Sequence, residues 1–154
     1  MVKEEELLRA TEEIQNLTYR QGEYKIFKVF EPKERLIMAL PFYDRVVQHM
    51  ICNAIQPVFE NGFYYHSYAC RSGKGMHAAS DTLYQWMYET EVKQGLRMYA
   101  FKGDISKYFA SIPHDKLKDE NRRYIGDKKA LMLMDDIIDH NGILPDGVGI
   151  PVGN

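Results

Sequence analysis

Asp104 is the residue of this chain best placed for chemistry. It closes the run Tyr99-Ala100-Phe101-Lys102-Gly103-Asp104, whose apolar, aromatic start suits a buried strand. The pattern predicts a strand over 99–101 that delivers a carboxylate at its C-terminal end, followed by Ile105. Tyr108 and Phe109 come next, so an aromatic ring stands five residues beyond the acid. An acid at a strand end with a ring nearby can hold a metal ion beneath a nucleotide. The same residues also describe an ordinary surface Asp in a strand-to-helix turn. In-line phosphoryl transfer on a metal pair takes two or three carboxylates, and this stretch offers one.

Other candidates are cationic. Lys33 and Arg35 flank a turn in YKIFKVFEPKERLIMAL, beside Lys25 and Lys28. They fit either an anion-binding tip or a solvated edge on which Lys discourages aggregation. Arg71 and Lys74 lie in the glycine-bearing loop Ser67–Gly75. The G-x-x-x-x-G-K-[ST] spacing of a nucleotide-binding loop is absent there, which leaves contact with a nucleic-acid backbone as the open functional reading. Met134-Asp135-Asp136 invites a paired-carboxylate reading, yet it falls mid-helix, where neighbours point about 100° apart. Asp135, Asp136 and Asp139 are therefore expected on a solvated face. His77 reads as a cap or surface residue. Cys52 and Cys70 have neither metal-ligand spacing nor secreted-scaffold density and are expected to be reduced, structural and cytoplasmic.

The elements that must position these groups alternate in type. Helix formers over 3–18 precede Gly22. A hairpin is expected with one strand from Tyr24 to Phe30, another from Arg35 to Leu40, and Glu31–Glu34 as the turn. From Phe42 to Phe59 apolar residues recur in pairs every four positions, a helix that Pro57 should kink or end near Gln56. Asp44 and Arg45 fall on the polar side of its first turn. A helix over 76–94 carries Met76, Ala79, Leu83, Met87 and Val92 on one face with Trp86 beside them, and Gly95 as C-cap. Helices over 113–124 and 128–140 follow, stopped by Gly126 and by Asn141-Gly142.

The totals narrow the class. At 154 residues, 45% hydrophobic and 27% charged, the chain fits one domain or a large piece of one. A net charge of −2 excludes indiscriminate coating of nucleic acid, so any such contact must be local. No apolar run approaches the ~18 residues of a bilayer span, and the acidic N-terminus does not read as a signal peptide.

Taken in order, four blocks resemble the fingers and first half of the palm of a bacterial reverse transcriptase. EPKERLIMALPFYDRVVQHMICNAIQPVFE resembles the fingers hairpin and the helix after it, and FYYHSYACRSGKGMHAA the next block. KGDISKYFASIPHDKL is similar to motif A, and Gly149-Ile150-Pro151-Val152-Gly153-Asn154 to the start of motif B. The resemblance implies an α+β fold, with residues 1–98 mainly fingers and 99–154 an incomplete antiparallel palm in a single partial domain. It implies an RNA-directed DNA polymerase that adds dNTPs to a DNA primer on an RNA template with Mg²⁺.

Position by position, the resemblance makes Asp104 the catalytic metal ligand and the Ile105 carbonyl a further one. Phe109 becomes the ring beneath the incoming sugar, which would exclude a 2′-OH. Lys33 and Arg35 become the grip on the triphosphate, with Val152 beside the nucleotide. Pro151 and Gly153 would flank the template–primer junction, and Arg71 and Lys74 the template. Val152 stands where many reverse transcriptases have Gln. An apolar residue there followed by Gly-Asn is similar to the diversity-generating and other retroelement-like bacterial branches, which leans toward mutagenic copying rather than group II intron mobility or phage defence. The Y-x-D-D motif has no match before Asn154, so the resemblance implies a fragment that is inactive alone and self-associates through an incomplete palm. The alternative is a non-catalytic remnant of the fold that binds nucleic acid or a partner.

Overall fold

The computed structural model describes residues 4–30 and 32–151. Among them the chain is mixed α/β, with five α-helices and one two-stranded antiparallel hairpin. It divides into two compact units. One joins the two ends of the chain, up to Val58 and from Ser106 onward, and the other is Phe59–Ile105.

The first unit holds the core. Helix α1 (Glu4–Gln15) starts with Glu4, Glu5 and Glu6, where acids suit the helix dipole. Its buried face presents Ala10 and Ile14 to Tyr19, to Val47 of α2 (Phe42–Glu60), and to Leu133 of α5 (Lys128–Asp139). The paired apolar residues of α2 supply Val47, Met50 and Ile51 to this cluster. Pro57 does not end α2, which runs on to Glu60. Proline removes one intrahelical bond, to the Asn53 carbonyl four residues back, and Asn53 is exposed, so water can take its place.

Asp44 departs from its expected position. Arg45 is exposed, but Asp44 is buried and accepts a 2.7 Å hydrogen bond from the Tyr19 hydroxyl. Burial, then the bond to Asp44, raises the Tyr19 pKa far above the phenol range. The folded chain thus keeps Tyr19 neutral at pH values where an unfolded tyrosine, with a pKa of about 10, ionises. Its contribution is complete below about pH 10 and fades as pH rises above that. Tyr19→Phe should cost about 1–3 kcal/mol at neutral pH by leaving a buried carboxylate oxygen unpaired. It should also flatten the alkaline limb of a stability–pH curve, and urea melts at pH 7 and above pH 10 would show both.

Strands β1 (Lys25–Phe30) and β2 (Glu34–Ala39) pair in the register Lys25↔Ala39 to Phe30↔Glu34. A lone hairpin is marginal in water, and this one is tethered at its root. The Tyr24 hydroxyl donates to the His140 carbonyl at 2.9 Å, where α5 ends. Met38 and Tyr24 also press on Gly142, where a Cβ would come within 3.0 Å of each.

Helix α5 is capped by Asp127, which accepts from the Ala130 N–H, and is clamped to α4 (His114–Tyr124) through its acids. Arg122 pairs with Asp135 at 2.5 Å, and Lys118 with Asp139 at 2.6 Å. Of the three acids expected in solvent, only Asp136 is both exposed and unpaired among the described residues; Asp135 is half-buried. Burial pulls the Asp139 carboxyl upward, but the hydrogen bonds from Lys118 and His114 outweigh it and hold its pKa below the ordinary value.

No residue of the second unit is buried as a whole among those described. Polar and aromatic contacts hold it instead. Arg71 is the hub of its first loop: Nε meets Glu60 at 2.7 Å, and one terminal nitrogen reaches the Tyr64 and Ser67 carbonyls and the Ser67 hydroxyl. Helix α3 (Met76–Met87) passes into a π-helical turn, Tyr88–Lys93, and Gly95 ends it at φ 66°.

The strand expected over 99–101 is not formed. Residues 96–105 belong to no helix or strand, and Tyr99 and Phe101 are 82% and 97% exposed. A strand needs a neighbour for its N–H and C=O groups, and the sheet among the described residues is limited to β1 and β2. Cys52 and Cys70 are free and exposed rather than buried. No described helix is long and apolar enough to cross a membrane.

Candidate functional site

The chain on either side of Phe109 folds back on the segment 147–151. Lys107, at φ 52°, turns the backbone through the left-handed region at a cost of about 1 kcal/mol for a residue with a Cβ. A single 3₁₀ turn, Phe109–Ser111, follows. The Phe109 carbonyl then accepts from the Ile150 N–H at 2.9 Å, and the Ile112 carbonyl from the Gly149 N–H at 2.8 Å. Pro113 and Val148 form an antiparallel bridge. The Phe109 ring, freed from any need to anchor the turn, stays 49% exposed beside Tyr108, edge to face at 5.3 Å.

His114 and Asn141 secure this junction. His114 is buried at the start of α4; its main-chain N–H donates to the Gly147 carbonyl and its Nε2 lies 2.9 Å from the Gly149 carbonyl. Nδ1 lies 3.2 Å from Asp139. Asn141, also buried, donates through Nδ2 to the Pro145 carbonyl at 2.7 Å. Sequence reasoning missed both. Pro113-His114-Asp115 looked like a helix start and Asn141-Gly142 like a helix stop, and neither pattern reveals a contact thirty-five residues away.

Gly149 is where the two segments come closest. Its φ is 92°, and an added Cβ would lie 3.0 Å from Leu144 Cδ1 and 3.1 Å from the Ala110 carbonyl oxygen. Backbone cannot yield as a flexible side chain can. Gly149→Ala should therefore cost about 2–3 kcal/mol, and hydrogen exchange at the Ile150 amide should accelerate accordingly. Protection equal to that of the unmodified chain would mean that this contact does not hold the junction.

The remaining candidates stand as follows. Pro151 is fully buried, next to Ile150; Val152 and Gly153 lie outside the described residues. Lys33 and Arg35 are exposed at the hairpin tip and form no ion pair among the described residues, whereas their neighbours Lys28 and Glu34 pair at 2.7 Å. Asp104 and Ile105 end the second unit in a run without helix or strand, and both are exposed. Asp104 has no ion-pair partner among the described residues, and no group of three or more His, Cys, Asp or Glu side chains there could hold a metal ion. The described residues therefore gather no such set of ligands around Asp104. Arg71 is committed to its loop, with its side chain 9% exposed. Lys74 donates to the Tyr65 carbonyl and lies over the Tyr65 and Tyr68 rings.

The first unit thus presents a half-exposed aromatic ring on a turn locked to a glycine-bearing segment. No family model matches the chain. Over 91 residues, 59% of its length, it is 30% identical to Protein YkfC of Escherichia coli (strain K12). It spans about a quarter of the length of that curated relative.

Proposed function

We propose that the chain is the fingers and N-terminal palm of a bacterial reverse transcriptase, an RNA-directed DNA polymerase acting on dNTPs, a DNA primer and an RNA template. The observation that carries the reading is the junction of Phe109 with Gly149–Pro151. Two sequence blocks resembling motif A and motif B, some forty residues apart, are tied by two backbone hydrogen bonds and a buried histidine. A polymerase needs such a junction to set a ring beneath the sugar of the incoming nucleotide, with chain beside the template–primer end.

The charge pattern supports the same reading. Two cations with no ion-pair partner among the described residues, a point charge and a bidentate fork, stand at and beside the hairpin tip, where a triphosphate could be gripped. Asp104 would supply one carboxylate of the two or three that Mg²⁺-dependent transfer requires. Catalysis of this kind consists mainly of positioning and electrostatics.

RNA-templated primer extension by the complete protein tests the proposal. DNA product that depends on all four dNTPs is expected; no product on RNA or DNA templates would refute it. The lone carboxylate also favours a second reading, a remnant of the same fold that binds nucleic acid without catalysis. Retention of primer–template with no extension would select it.

A further inference from the structure

The second unit holds a cavity of about 380 Å³ between the loop at 65–74 and α3, with Trp86 in its wall. That volume lies in the range of ~300–1,000 Å³ typical of small-molecule sites. Its rings are not a core, because no apolar or aromatic residue of this unit is buried among those described. Trp86 is 45% exposed and Tyr65 72%.

The walls are nonetheless ordered. His66 stands edge-on to Trp86 at 4.7 Å and to Tyr65 at 4.8 Å. Its Nδ1 lies 3.1 Å from the Tyr68 hydroxyl, which donates to Thr82 Oγ1, which in turn donates to the Ala78 carbonyl of α3. This relay ties the aromatic wall to the helix before any ligand arrives, and such preorganisation lowers the cost of binding.

The two ends of the cavity differ in charge. In the loop that leads into α3, Lys74, whose ammonium donates to the Tyr65 carbonyl and lies over the Tyr65 and Tyr68 rings, offers a cation with no carboxylate partner among the described residues. Further along, Gln85 donates to Glu89 at 3.2 Å, which leaves the Gln85 carbonyl and the carboxylate as acceptors. Glu89 enters from the π-helical turn, a conformation concentrated at functional sites. A ligand that fits has an anion at one end, a flat ring in the middle, and ring-borne N–H donors at the other.

We propose that this cavity binds a nucleotide, its base laid against Trp86, an exocyclic amine facing Gln85 and Glu89, and its phosphate at Lys74. The occupant is either a free mononucleotide or an unpaired nucleotide of a single-stranded RNA. The second source rests on the polymerase reading; the pocket itself does not.

Trp86 is the chain's one tryptophan, so its emission reports from this cavity alone. Titration with CMP should quench it saturably, with UMP several-fold weaker because uracil lacks the amine. Lys74→Gln should weaken CMP binding about tenfold, in line with the loss of one good contact. Gln85→Leu, which leaves the Lys74 contacts intact, should erase the preference for CMP over UMP. A short single-stranded RNA binding at least tenfold tighter than CMP identifies the strand as occupant, and equal affinity identifies the free nucleotide. No saturable change with either ligand, or unchanged affinity and preference in both folded variants, overturns the proposal. Asp104→Asn should leave the quenching untouched, so loss of polymerase activity and loss of this site are separately visible.

Discussion

Replacing Asp104 by Asn in the complete protein is expected to lower RNA-templated primer extension by roughly three orders of magnitude, the scale seen when an electrostatic group at the reacting centre is removed. The substitution keeps the shape of the side chain and removes its charge. Because Asp104 is exposed and has no ion-pair partner among the described residues, stability should change by less than about 0.5 kcal/mol. The two readouts together separate catalysis from folding. Extension within tenfold of the unmodified protein would remove Asp104 from the reaction.

Phe109→Ala should raise incorporation of ribonucleotides relative to deoxyribonucleotides by about a hundredfold, the discrimination a pocket wall can exert against one added hydroxyl. The structure explains why such a variant should remain folded. The turn is held by the Phe109 carbonyl, not by its ring, and the ring is half exposed. Little packing is lost with it, and Tyr108 keeps its backbone. Single-nucleotide incorporation with a matched dNTP and NTP pair gives the ratio. A ratio unchanged by the substitution would show that the ring does not sense the sugar.

Much of the local architecture was legible because it depends on neighbours in sequence. The paired apolar residues of α2, the two apolar runs of the hairpin and Gly95 each declare a local geometry, and the helices and hairpin form at those places. What could not be read depends on distant partners. Asp44 carries every local mark of a solvated helix start, and the Tyr19 hydroxyl, twenty-five residues away, helps to make its burial tolerable. Tyr99–Phe101 has strand composition, but composition supplies no second strand to bond with. Pro57 would break a buried helix, yet on the exposed face of α2 its missing bond falls where water can reach.

The same division runs through the candidate site. Phe109 and Pro151 were singled out as residues, but their junction rests on Gly149, His114 and Asn141, whose roles appear only once the chain closes on itself. The cavity beside Trp86 was invisible for a similar reason. His66 and Gln85 meet it from a loop and a helix face, and neither carries a motif.

The central claim is that the Phe109 turn and the Gly149–Pro151 segment together receive an incoming deoxynucleotide. The most direct measurement is photocrosslinking of the complete protein, bound to primer–template, with a dNTP bearing a photoreactive group on its sugar, followed by peptide mapping. Label on the peptides holding Phe109 and Ile150–Pro151, competed away by unmodified dNTP, is the predicted result. Label that resists competition, or that falls elsewhere and spares both segments, would contradict it.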